Sequence, residues 1–205
     1  HVAIALQNAE AHRQVELRAE TDGLTGLWNH GSLIEQIDDL VGRGTRFSML
    51  MVDLDFFKRY NDRYGHQAGN VMLQRISGVL RASCRDSDRV FRYGGDEFAL
   101  LLPDTGLSGA RTVGEKILQA VNAIGEDDPS AALVNCSIGV AVFPRDGADG
   151  AEIILAADRA CYAAKRGGRA RMATANEGRA LAAEFQPTQP TMPEPLVPEA
   201  SRSAA

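Results

Sequence analysis

The chain has 205 residues, 44% of them hydrophobic, and a formal net charge of −5. That is enough for one domain with extensions and a real core, and the acidic balance argues against a general nucleic-acid binder, so no nucleic-acid polymer is expected as a partner. Three cysteines (Cys84, Cys136, Cys161) lie in apolar, patterned segments without metal-like spacing; they read as core thiols, and their odd number fits a reducing cytoplasm.

Residues 1–20 have high helix propensity and neither Gly nor Pro. Their apolar spacing is only loosely heptad-like, which leaves a coiled coil open. The chain starts at His1 in helix-like sequence and reads as a piece of a longer protein. No apolar run reaches membrane-spanning length and no signal peptide is present, so a cytoplasmic location is expected; a membrane tether upstream stays open.

Leu33, Ile34, Ile37, Leu40 and Val41 share one helical face, and Gly42 and Gly44 stop that helix. Phe47 to Val52 is a continuous apolar run within a strand at about 46–53, the pattern of a strand buried on both faces. It runs into Asp53-Leu54-Asp55, and Asp at the mouth of a buried strand is unfavourable unless paired or metal-bound. A helix at about 68–84 carries Met72, Leu73, Ile76, Val79 and Leu80 on one side. Val90 to Tyr93 and Phe98 to Leu102 flank Gly94-Gly95, which predicts a hairpin over 89–102. Ser108 is the expected cap of a helix using Ala110, Val113, Ile117, Val121 and Ile124. Residues 133–143 alternate as a strand. Asp149 and Glu152 form a capping pattern for a helix over 150–166, which Gly167-Gly168 closes. From 175 the chain is rich in Ala, Pro, Thr and Glu and reads as a disordered tail to residue 205. The order predicts an α+β domain over 21–174 with a central, mostly antiparallel sheet flanked by helices.

Two adjacent carboxylates, Asp96 and Glu97, follow the turn glycines. An acidic turn alone is usually just solvated. One carboxylate at the end of a central strand, beside these two on a hairpin, resembles a site for hard cations that grip phosphate.

The string Arg92-Tyr-Gly-Gly-Asp-Glu-Phe98 resembles the signature of the GGDEF domains, the diguanylate cyclases. So do Asp22 to Asn29, Asp53 to Asn61, Ser137 to Val140, and Asp158 through Tyr162, Lys165 and Arg169. The blocks stand in family order and spacing over roughly residues 20–172. The resemblance implies the fold of nucleotidyl cyclases and the polymerase palm. It implies a homodimer that joins two GTP into cyclic di-GMP and two pyrophosphates with Mg2+ or Mn2+. Ala3 to Glu10 resembles the closing helix of a GAF sensory domain, which would make residues 1–20 the connector from an upstream sensory domain.

Carried over position by position, the resemblance makes Asp53 and Asp96 metal-holding carboxylates, with the Leu54 carbonyl as a backbone ligand. Asp96 is also the candidate acceptor of the hydroxyl proton. Glu97 either helps place metal or nucleotide or supports the turn. Backbone N–H groups of Phe56, Phe57 and Lys58, where a helix can begin, are expected at the phosphates. Lys58 is also a candidate to stabilise developing charge. Lys165 and Arg169 match cations that hold the triphosphate; on spacing alone they read as surface charge at a helix C-terminus. Asn61 and Asn70 match the guanine-reading positions, with His66 beside them among the substrate-binding residues. Asn70 is a departure, since the family usually has Asp there, and Asn offers one carbonyl acceptor and a donor. Weaker guanine discrimination, lower GTP affinity or some acceptance of ATP follows as an expectation. His30 stands where family members commonly have Arg. Arg85-Asp86-Ser87-Asp88 has the spacing of an RxxD product-inhibition site, with Arg85 and Asp88 as contacts and Lys116 as a secondary one. Two other readings remain: a catalytically silent receptor for GTP or cyclic di-GMP, and a cyclase making mixed purine dinucleotides.

Overall fold

A computed structural model describes residues 20–127 and 134–184. Eleven elements follow among them: α1 (His30–Gly42), β1 (Phe47–Asp55), α2 (Phe57–Tyr64), α3 (His66–Ser83), β2 (Arg89–Gly94), β3 (Glu97–Pro103), α4 (Leu107–Asp127), β4 (Asn135–Phe143), α5 (Gly150–Arg166), β5 (Met172–Thr174) and α6 (Ala175–Glu184). The strands form one sheet in the order β2-β3-β1-β4-β5. β1 is central and antiparallel to both β3 and β4, and only β5 joins in parallel. The α+β architecture with a mostly antiparallel sheet is as the sequence implies.

The apolar run of β1 is buried along its whole length. Alternation divides it between two cores. Leu50, Val52 and Leu54 pack against Met72, Leu73 and Ile76 of α3 and Ile117 and Val121 of α4. Phe47, Met49 and Met51 pack against Leu33 and Ile37 of α1 and Ile153, Ala157 and Cys161 of α5. Each such side chain contributes about 1.5–3 kcal/mol relative to exposure. The central strand, and with it the end that carries Asp53, is therefore the most firmly held part of the sheet.

Asn29, a cap the sequence reading did not single out, starts α1 by accepting from the Ser32 N–H at 3.0 Å. Local signals act as expected at both ends of α5. Asp149 caps α5 by accepting from Glu152 N–H at 2.8 Å, and the Glu152 carboxylate accepts from Ala148 N–H at 2.8 Å. Gly167 is the C-cap of α5. Gly139 of β4 lets α5 lie against the sheet: a Cβ there would stand 2.0 Å from the Ala157 carbonyl oxygen and 2.2 Å from the Cys161 nitrogen.

Two expectations are corrected. Ser108 is not a cap, because α4 already begins at Leu107. The tail does not begin at 175: residues 172–174 pair as β5, and 175–184 form α6 with Ala175 and Gly178 buried. The Thr174 N–H and hydroxyl both donate to the Glu177 carboxylate, at 2.8 and 2.9 Å, and fix the start of α6. The connector over residues 1–20 lies, but for Glu20, outside the described residues, as does the tail from 185 onward. No helix among the described residues is long and apolar enough to cross a membrane.

Candidate active site

The polar residues gather where β1 ends. Strand register puts Asp53 opposite Glu97 of β3 and Ser137 of β4. Asp96 lies in the β2–β3 turn, and its carbonyl accepts from the Leu54 N–H at 3.2 Å. Lys165, on the last turn of α5, reaches Asp53 at 2.5 Å. The close approach that Gly139 allows brings this end of α5 to the sheet.

Burial pushes the Asp53 carboxyl above the usual carboxylate range despite its pairing with Lys165, and the charges of Asp96 and Asp55 add to the rise. Glu97 is pushed up by burial and then by Asp53 and Asp96. Burial would lower Lys165, but its hydrogen bond and ion pair with Asp53 outweigh that and raise it. Asp53 and Glu97 thus share too little water and too little positive charge. Among the described residues no three His, Cys, Asp or Glu side chains are arranged to cage an ion alone. The donor set is hard oxygen on one or two carboxylates, which suits a hard divalent cation completed by oxygens from outside the protein better than an all-protein cage. Asp53 and Asp96, with the Leu54 carbonyl and Glu97, fit that role.

Beside the carboxylates is a cleft of about 500 Å3 lined by Phe57, Lys58, Asn61, His66, Asn70 and Asp96, with Asp62, Gly69, Leu73, Arg92 and Gly95 completing it. The Asn61 Oδ1 is buried without a hydrogen-bond partner, and an acceptor left so is costly unless a ligand donates to it. It presses on Gly69, where a Cβ would come within 1.8 Å. Asn70 is exposed at the cleft. Phe56 precedes α2 in the left-handed conformation, φ 58°, with no side chain capping the helix. The residue that precedes α2 therefore gives its first N–H groups no side-chain acceptor. Arg169 stacks on the Phe56 ring, 4.8 Å from its centroid, and stands 3.9 Å from Asp55.

Sequence reasoning passed over the tie between hairpin and wide turn. Arg92 donates to the Gly95 carbonyl at 2.8 Å and to both oxygens of Asp22 at 3.0 and 3.1 Å. Asp22 also accepts from the Thr25 N–H and hydroxyl. Burial would raise the Asp22 carboxyl, but its Thr25 and Arg92 partners hold it below its ordinary value. The acidic turn is thus clamped from behind.

Arg85 and Asp88 lie elsewhere, in the α3–β2 turn. Asp88 accepts from the Arg85 N–H at 2.9 Å and from its guanidinium at 3.3 Å, and that guanidinium also donates to the Thr105 hydroxyl at 2.8 Å. Both residues line a cleft of about 350 Å3 that includes Trp28 and Arg89. Lys116 is not in that lining; its ammonium donates to the Ala82 carbonyl at 2.9 Å, near the end of α3. Cys136 and Cys161 are buried and Cys84 half-buried. Burial pushes the Cys84 and Cys161 thiols up to about 12, so neither is a thiolate at neutral pH.

The family described as "Diguanylate cyclase, GGDEF domain" matches residues 19–171. The chain is 39% identical over 163 residues to the diguanylate cyclase DgcP of Pseudomonas aeruginosa, covering 77% of this chain and 24% of that protein. It is 34% identical over 166 residues to the cyclic di-GMP phosphodiesterase PdeR of Escherichia coli, covering 80% of this chain and 25% of that one. Among solved structures, the coiled coil and GGDEF domain of DgcB from Caulobacter crescentus, in complex with c-di-GMP, superposes with a TM-score of 0.75 at 27% identity, covering 84% of this chain and 94% of that one. The chain spans about a quarter of the length of these two curated relatives.

Proposed function

The chain belongs to the GGDEF domain family of diguanylate cyclases, and from that premise we propose that it condenses two GTP into cyclic di-GMP as a homodimer. Relatives of similar identity include a protein named as a phosphodiesterase, so family membership leaves the activity to the site. The observation that carries the reading is one continuous site. The carboxylates Asp53, Asp96 and Glu97 meet Lys165 at one end, and Asn61 with its unpartnered acceptor and Asn70 line the cleft leading from Asp96.

In each half of the reaction a 3′-oxygen forms a bond to the α-phosphorus of the other GTP. The bond from that phosphorus to the β-phosphate oxygen breaks, and pyrophosphate leaves. The hydroxyl proton goes to Asp96. Mg2+ or Mn2+, held by Asp53, Asp96, Glu97 and the Leu54 carbonyl, would supply positive charge to the triphosphate and acidify the hydroxyl. The N–H groups of Phe56, Phe57 and Lys58 bind phosphate oxygens, and Lys165, Arg169 and the Lys58 ammonium balance their charge. Asn61, His66 and Asn70 hold the guanine. One domain offers one half-site, so two copies must face each other. Relatives about three times as long are consistent with an upstream sensory domain that controls this meeting through residues 1–20.

Arg85 and Asp88, already paired and beside Trp28, form the proposed inhibitory site for product. Arg85→Ala is expected to relieve product inhibition while leaving initial rates intact; inhibition that persists would remove the site from the account.

A second reading is favoured by Asn70. Two amides at the base can each present donor or acceptor, which would admit adenine and yield a mixed purine product. Chromatography of products from GTP alone, then from equimolar GTP and ATP, separates the readings. Cyclic di-GMP is expected in the first, and Asp96→Asn should lower its formation about 10²- to 10⁴-fold. Nucleotide binding without product would favour a silent receptor.

A further inference from the structure

Arg169 sits in a turn that its side chains do not favour. Gly168, Arg169 and Ala170 have φ of 116°, 65° and 46° in succession, and residues with a Cβ rarely hold that region. The Arg169 N–H donates to the Ala164 carbonyl at 3.1 Å, and the Ala170 N–H donates to Asp55 Oδ2 at 2.9 Å. The Ser137 hydroxyl donates to Asp55 Oδ1 at 2.8 Å. Both oxygens of a carboxylate only 2% exposed are thus engaged, and Asp55 cannot turn away from residue 170. On the other side the Phe56 ring is 45% exposed, large and apolar. Its left-handed backbone turns it out of the core, and the guanidinium of Arg169 lies over it at 4.8 Å.

We propose that Asp55 and Phe56 are positioning residues that together hold the Arg169 guanidinium ready at the start of α2 for the triphosphate. This rests on the function proposed above. Asp55 fixes the backbone from which Arg169 projects, and Phe56 fixes the plane of its head group. A free arginine loses much rotamer freedom on binding, and one ordered beforehand loses less. Asp55 is hidden from the nucleotide and acts through the turn and through its ion pair with the Arg169 guanidinium at 3.9 Å. Phe56 acts twice, through its N–H and through its ring.

The test uses Phe56→Leu, Asp55→Asn and Arg169→Ala singly, and Phe56→Leu combined with Arg169→Ala. One readout is the NMR signal of the Arg169 Nε–H without nucleotide. The other is the pair of dissociation constants for 3′-deoxy-GTP and 3′-deoxy-GMP with Mg2+, neither of which has the attacking hydroxyl. The Arg169 signal should be shifted by the ring current in the wild type and lose that shift in Phe56→Leu. Triphosphate affinity should fall about two- to fivefold in Phe56→Leu and about tenfold in Asp55→Asn, with monophosphate affinity unchanged. Phe56→Leu should cost nothing further once Arg169 is Ala. Equal losses for both nucleotides, a further loss without Arg169, or an unshifted wild-type signal would each overturn the proposal. Phe56 is exposed, so its variant keeps the test open if Asp55→Asn does not fold. A shifted signal in a chain with no preference for the triphosphate would keep the hold on Arg169 and overturn the cyclase reading instead.

Discussion

Asp53 and Glu97 face each other across two strands, and Lys165 pairs directly with the first of them at 2.5 Å. Both carboxyls are raised by burial and by neighbouring negative charge. A raised carboxyl binds its proton more tightly in the folded state. Its contribution therefore makes stability fall as pH rises from the unfolded value, about 4, through the raised native one. Asp22 and Asp146, whose carboxyls are lowered, act in the opposite direction, so the comparison must be between two proteins. Glu97→Gln is expected to melt higher than the wild type at neutral pH without metal, with the gap closing as the pH falls. Thermal melts across that range check it; a gap that is constant with pH would contradict the crowding of charge. At this scale the spacing of the motif blocks made Asp53, Asp96, Glu97 and Lys165 legible in the sequence. The partners of Asp55 and Arg92 were not, because Ala170 and Asp22 are far away along the chain and only the fold brings them near.

The meeting of β4 and α5 shows how an element places a charge it does not carry. Gly139 leaves no room for a Cβ against the Ala157 carbonyl and the Cys161 nitrogen, both of which are backbone atoms. Gly139→Ala must push α5 outward, and with it Lys165. The expected cost is about 1–3 kcal/mol of stability, read by urea unfolding, together with a loss of nucleotide affinity that Asp53 alone cannot restore. Unchanged stability would mean that α5 is not held where β4 leaves space. The strand patterns, the stop of α1 and the α5 caps could be read ahead of the structure because they are local. The start of α6 was missed although Thr174-Ala-Asn-Glu177 has the spacing of a capping box. The prolines further on dominated the composition of the segment, and burial of Ala175 and Gly178 against the rest of the domain gives α6 a support that composition does not register.

At the scale of the whole molecule the site is half of what the proposed reaction requires. In that reaction each GTP supplies the hydroxyl that attacks the other, so a solitary domain would bind nucleotide and still make nothing. Asp22 and Arg92 join the turn that follows Thr21 to the hairpin that carries Asp96. An input that brought two copies face to face would thus act on sites already assembled. The measurement that bears most directly on this account is the initial rate of cyclic di-GMP formation from GTP and Mg2+ against protein concentration. The account predicts that product appears and that, in the dilute range, the rate rises with the square of the concentration, becoming linear once a fused dimerising segment holds two copies together. Nucleotide binding with no product at any concentration, in the fused protein as well, would contradict it.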